Sequence, residues 1–341
     1  MLAEFALTPS IFDESAHSDQ EEWREQLREL GSTMFPRTAA WPVMISNLYE
    51  GSWENEALTL MKSIKDQKAR LLCSDILTNI AKTMVLRPAC GEWPGDDPTA
   101  WAEEALASHD DFPMDRIIAC KASYESLRSK SRSIRCIDEV QDSGFWKDVE
   151  SSWSQTMKIN DQILSLRKLC VHSGFVGLIT PHIYGGGDDE TDFAIELIKS
   201  SFDRPKAYGP VEIEIHTEGP KDPTSCDYEA RLNNVVNGIA IAFRRVLNPG
   251  QMVRLIVWPK LLDRYLIAGV HTELLDGTRV RSPRWGVSMQ HVARKSDERV
   301  TKPPTQWSLF TSKQLSDEFD RYCKSGVAGY VRSIEISSSR L

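Results

Sequence analysis

Apolar positions change their spacing along the chain, and the change divides it. In the first half the dominant interval is helical. Trp23, Leu27 and Leu30 form one stripe, and a longer run from Asn55 to Val85 carries Leu58, Met61, Ile64, Leu72, Ile76, Ile80 and Met84. That run predicts two helices, broken near Asp66-Gln67 or Cys73-Ser74. Residues 89–98, rich in Gly, Pro and Asp, predict a loop, with a short helix over 99–108. Helices are expected again over 114–130 and 144–170, the latter because Phe145, Val149, Trp153 and Met157 recur every four residues. Ala3–Leu7 is the one strand expected in this half. Residues 1–170 are thus expected to form a mainly helical domain.

Beyond residue 170 the period shortens. Phe175–Ile183 is a strand-type apolar run that ends before Gly185-Gly186-Gly187. Val211–His216 alternates apolar and polar, the period of a strand with one wet face. Val253–Trp258, Tyr265–Ala268 and Trp285–Val292 predict further strands. Between them lie helical stretches over 191–202 and 228–246, the second stopped by Asn248-Pro249-Gly250, and a terminal helix follows over 313–324. Alternating strand and helix predict an α/β domain over 171–341, with right-handed crossovers and a mainly parallel sheet flanked by helices.

Composition narrows the setting. The chain is 41% hydrophobic and 26% charged, within the globular range. No run nears the roughly 18 apolar residues of a membrane span, so no membrane partner is expected. Acids at Glu4, Asp13 and Glu14 are unlike an export signal, and a cytoplasmic location is expected. The seven cysteines stand too far apart for a zinc knuckle or a CxxC pair and read as free, mostly buried thiols. A net charge of −8 argues against coating nucleic acid by bulk charge. Residues 203–299, however, hold 15 Lys and Arg against 12 Asp and Glu, a surplus of +3 that suits a phosphate-bearing partner.

Val253-Arg254-Leu255-Ile256-Val257-Trp258-Pro259, followed closely by Leu262-Asp263-Arg264-Tyr265-Leu266-Ile267, resembles phospholipase-D-superfamily domains, above all the one that follows MIT domains. The element ending in Thr180-Pro181-His182-Ile183-Tyr184 is similar to their opening strand. The resemblance covers residues 172–325 and implies a phospholipase-D-like α/β fold. It also implies a His-x-Lys pair, nucleophile and phosphate clamp, with an acid beyond it. Here Leu262 stands at the histidine position, Arg264 at the lysine and Gly269 at the acid. Leucine cannot attack phosphorus, whereas an arginine beside Asp263 could still clamp a phosphate.

Other candidates carry two readings each. His182 and His216, at expected C-terminal strand ends, could pair with Arg264 in a rebuilt site, or hold backbone carbonyls as loop histidines. Arg279, Arg281 and Arg284 with Trp285 could bind a nucleic-acid backbone and stack a base. Alternatively they form a solvated hairpin with Trp285 in the core. Arg294, Lys295 and Arg299 extend this segment, offset by Asp297 and Glu298. Asp188, Asp189, Glu190 and Asp192 put carboxylates after the glycine run, which suits a helix start and repels phosphate. No metal site is assigned to them. No Walker A loop, G-x-G-x-x-G or G-x-S-x-G occurs, and no cofactor is expected.

The expectation is a non-catalytic phospholipase-D-like module. It would bind a phosphate-bearing ligand such as nucleic acid, or a protein partner or second copy, within a multi-protein assembly. A phosphodiesterase or nuclease with a rebuilt site is the rival, and a purely structural subunit the third reading.

Overall fold

The computed structural model describes residues 2–37, 40–142, 144–147, 149–292 and 304–338. Arg294, Lys295, Asp297, Glu298 and Arg299 lie outside the described residues. The chain forms two units, Met1–Ser151 and Ser152–Leu341, so the division falls earlier than residue 170.

The first unit is α/β rather than mainly helical. Its elements run β1 (Ala3–Leu7), α1 (Gln20–Met34), β2 (Val43–Asn47), α2 (Ser52–Ser63), α3 (Gln67–Thr83), β3 (Met84–Leu86), α4 (Pro98–Asp111), β4 (Arg116–Ala119), α5 (Lys121–Leu127) and β5 (Ile134–Cys136). The strands form one parallel sheet in the order β3-β2-β1-β4-β5. Helix starts are fixed by side chains that satisfy free backbone N–H groups: Asp19 accepts from Glu21 and Glu22, and Asp66 from Lys68 and Ala69. The break between α2 and α3 falls at Asp66, the first of the two places the sequence offers, and Cys73-Ser74 lies inside α3. The stretch 114–130, expected as one helix, is β4 followed by α5. Four of the five strands escaped the sequence reading because they are three to five residues long. A run that short has no measurable period, and the parallel sheet that buries it assembles only in three dimensions.

The second unit continues with β6 (Ser152–Gln155), α6 (Ile159–His172), β7 (Phe175–Ile179), α7 (Asp189–Phe202), β8 (Glu212–Glu218), α8 (Tyr228–Arg244), β9 (Met252–Trp258), β10 (Tyr265–Glu273), β11 (Arg279–Met289), β12 (Thr305–Leu309), α9 (Ser312–Tyr322) and β13 (Arg332–Ser337). Its eight strands lie in the order β13-β9-β8-β7-β10-β11-β12-β6. Only β7, β8 and β9 run parallel; every other pairing is antiparallel, which corrects the expected mainly parallel sheet. Connection length is the reason. α7 and α8 supply the long crossovers that parallel neighbours need, whereas the loop 259–264 leaves at the C-terminal edge and must send β10 back the other way.

The stripe expected as a helix over 144–170 joins residues of two different units. Phe145 and Val149 pack in the first core. Trp153 lies in β6, opposite Trp307 of β12, with ring centroids 6.2 Å apart. α9 closes one face of the second sheet, packing Phe319, Tyr322 and Cys323 on Phe175, Ile179, Ile256 and Ile267. Gly177 makes room for it, since a Cβ there would stand 2.7 Å from Cys323 Sγ.

Candidate functional site

Strand β8 alternates as the sequence predicts, but its charged face is not wet. Glu214 and His216 are buried beneath α9, His216 with no exposed surface at all. Such groups stay inside only when their charges and hydrogen bonds are matched; here a network of ion pairs and hydrogen bonds matches Glu214, while His216 Nε2 is buried without a hydrogen-bond partner. Arg281 of β11 donates Nε to Glu212 Oε2 (3.1 Å), Nη2 to Glu214 Oε1 (2.8 Å) and Nη1 to the Cys323 carbonyl (2.8 Å). Arg254 donates to Glu214 Oε1 at 3.1 Å, and His271 lies 3.0 Å from Glu212 Oε2. Two carboxylates face two guanidinium groups. Burial alone would push Glu214 up, but the hydrogen bond and charge of Arg281 oppose it, and the carboxyl is held below the usual carboxylate range.

His216 is sealed within this network. The Trp258 indole donates to Nδ1 at 3.0 Å, with the two rings stacked. An indole N–H has no lone pair to offer, so Nδ1 must be bare and Nε2 must carry the proton. That proton faces Glu214 Oε2, 3.6 Å away. His216 therefore has no nitrogen free to attack phosphorus. The same reasoning disposes of a metal. Among the described residues Glu214, His216 and Cys323 bring potential ligand atoms within 4.8 Å of one another. A metal on Nε2 would force a proton onto Nδ1 against the indole, Glu214 already receives two arginines, and burial pushes the Cys323 thiol far from its thiolate. These residues do not fit a metal.

The C-terminal strand edge holds the other expected residues. Arg264 lies there, but Nε and Nη2 donate to Glu190 Oε1 at 3.3 and 3.2 Å. Glu190 Oε2 accepts from Thr180 Oγ1 and from the His182 backbone N–H. The His182 ring is exposed, with Nδ1 3.2 Å from the Tyr184 hydroxyl. Asp263 accepts from the hydroxyls of Tyr265 (3.1 Å) and Tyr322 (2.8 Å) and from Arg321 (3.4 Å). Burial, then the Asp263 charge, pushes Tyr265 up to about 12. Glu190 thus links Arg264 to the backbone of His182, while His216 belongs to the separate buried network. Leu262 is 71% exposed in the same loop.

The basic stretch of β11 divides likewise. Arg281 is committed to Glu212 and Glu214, and Trp285 is buried, so neither offers itself to a nucleic-acid backbone or a base. Arg279 is exposed; Arg284 is partly buried. Gly185 has φ +78°, and a Cβ on it would stand 2.2 Å from the Gly238 backbone, so this first glycine of the run allows close packing against α8. Asp188 caps α7 through Thr191.

An open cleft lies at the opposite edge. Of about 590 Å³, it sits where β8 and β9 begin, walled by Phe202, Val211 and Met252 and carrying Arg204, Lys206 and Arg254. Sequence reading registered these cations only as part of a regional surplus, because it is folding that sets the 203–210 loop beside β9. The first unit has a smaller hollow of about 290 Å³ by the ends of β1 and β4, the switch point of its sheet, where Glu22, Glu125 and Asp138 outnumber Lys121.

No protein-family model and no curated protein matches the chain. Fold and site define a two-unit α/β protein whose second unit carries a closed ion network on the face of its central strands.

Proposed function

We propose that this chain is a non-catalytic binding protein whose second unit, a phospholipase-D-like module without its nucleophile, holds a phosphate-bearing ligand within a larger assembly. The observation that carries the reading is the sealing of His216 between Trp258 Nε1 and Glu214 beneath α9. It agrees with Leu262 at the nucleophile position and with Arg264 being engaged by Glu190. Covalent phosphoryl transfer needs an accessible nucleophile with a partnered base, and neither histidine considered for the role offers both.

The test is an assay of the full chain on bis(p-nitrophenyl) phosphate and on single- and double-stranded DNA, alongside binding of a labelled oligonucleotide at several salt concentrations. Salt-sensitive binding without turnover is the expected result. Turnover that disappears in His216→Gln or His182→Gln would overturn the reading and restore the nuclease alternative.

A further inference from the structure

The geometry points to a nucleotide-binding cleft at the N-terminal edge of β8 and β9, a site distinct from the strand edge that the phospholipase-D resemblance singles out. Its charge is the first argument. The Arg204 guanidinium donates Nε to the Ser201 carbonyl (2.9 Å) and Nη2 to the carbonyls of Cys170 (2.5 Å) and Ser173 (2.7 Å). Carbonyls anchor a guanidinium but do not neutralise it, so this residue holds a positive charge that no carboxylate among the described residues pairs with. Burial pulls its pKa down only to about 10, which leaves it protonated at neutral pH. Lys206 is exposed and pairs with no acid among the described residues. Arg254 is held by Glu214 (Nη1, 3.1 Å) and Ser333 (Nε, 3.0 Å), which leaves Nη2 over.

Against these cations stand Glu212, already engaged by Arg281 and His271, and Glu335 of β13, the cross-strand partner of Arg254. Among the described lining residues three cations stand against two carboxylates, and of those two only Glu335 is not engaged by Arg281 and His271.

Shape and lining are the second argument. About 590 Å³ lies within the range of small-ligand sites. Phe202, Val211 and Met252 give it apolar walls beside the charge. A ligand that fits has an anionic head and a flat, largely apolar body: a phosphate monoester carrying a base. A free mononucleotide and the phosphorylated end of a nucleic-acid strand share that chemistry.

The experiment titrates AMP, adenosine, and a short oligonucleotide with and without a 5′-phosphate into the full chain by calorimetry. The variants are Lys206→Ala, Phe202→Ala and Glu335→Gln, with melting temperatures recorded for each. AMP should bind and adenosine should not. Lys206→Ala should weaken AMP about tenfold, the scale of one charge-assisted contact. Glu335→Gln should tighten it several-fold, a gain that a general loss of stability could not produce. Equal binding of AMP and the 5′-phosphorylated strand would name a strand end as the source, and preference for AMP a free nucleotide. Absence of AMP binding at millimolar concentration would overturn the proposal, as would binding indifferent to both Lys206→Ala and Glu335→Gln. Hydrolysis of diesters in the same samples would sink the non-catalytic reading and leave the cleft standing. Oligonucleotide binding that ignores these variants while AMP binding responds to them would rule out the strand end as the ligand and leave a free nucleotide.

Discussion

Arg264 shows how one side chain can keep its expected place and change its role. It lies at the C-terminal strand edge, yet its guanidinium is engaged by Glu190, and both side chains are largely buried. Arg264→Ala should therefore cost stability, about 2 kcal/mol or roughly 4–8 °C in Tm, and leave affinity for phosphate ligands unchanged. Weaker AMP or oligonucleotide binding with an unchanged Tm would reinstate the phosphate clamp. Glu214 makes a second prediction. Its carboxyl is held in the folded chain below the value of about 4.3 of an unfolded one, so the stability it contributes is complete above the unfolded value and lost as pH falls through the folded one. Acid unfolding followed by circular dichroism should shift to higher pH in Arg281→Met, which strips Glu214 of its buried partner. An unshifted midpoint would count against the network.

At the scale of the element, β10 leaves no room for a side chain where the phospholipase-D resemblance would put an acid. Gly269 sits at a register shift in the β10–β11 pairing, and a Cβ there would stand 2.2 Å from the Ser282 carbonyl oxygen and 2.7 Å from Phe175 Cε1. No side chain fits, so Gly269→Asp should fail to accumulate as folded protein. Leu262→His, at an exposed loop position, should fold normally and stay inactive. A folded, hydrolytically active double variant would show that the backbone can yield at this bulge. β8 teaches the converse about reading period. Alternation identified the strand correctly and misjudged its charged face, because whether a face is wet depends on what packs over it, here α9 from far along the chain.

For the whole molecule the consequence concerns where the chain can be cut. Each unit has its own sheet and core, so fragments 1–151 and 152–341 should each unfold cooperatively when expressed alone. A fragment starting at residue 171 loses the edge strand β6, the Trp153–Trp307 pair and the buried face of α6. It should melt lower than 152–341 or aggregate through its uncovered β12 edge. Equal stability of the two would place the boundary at 170 after all.

The sequence by itself determined the long helices and the alternating strand β8, because a period repeated over several turns, or several alternations, is a local property of the chain. It also determined that Leu262 and Gly269 stand where the phospholipase-D resemblance would expect a nucleophile and an acid, since identity at a position needs no fold to be read. Tertiary structure alone decided the first unit's parallel sheet, whose short strands gain stability only from neighbours distant in sequence. It decided the direction of β10, through the edge at which its loop leaves. It decided that Arg264 and Arg281 meet carboxylates, and that Arg204 and Lys206 meet none among the described residues, because a charge is neutralised by what lies within a few ångströms in space, and position along the chain does not fix that distance.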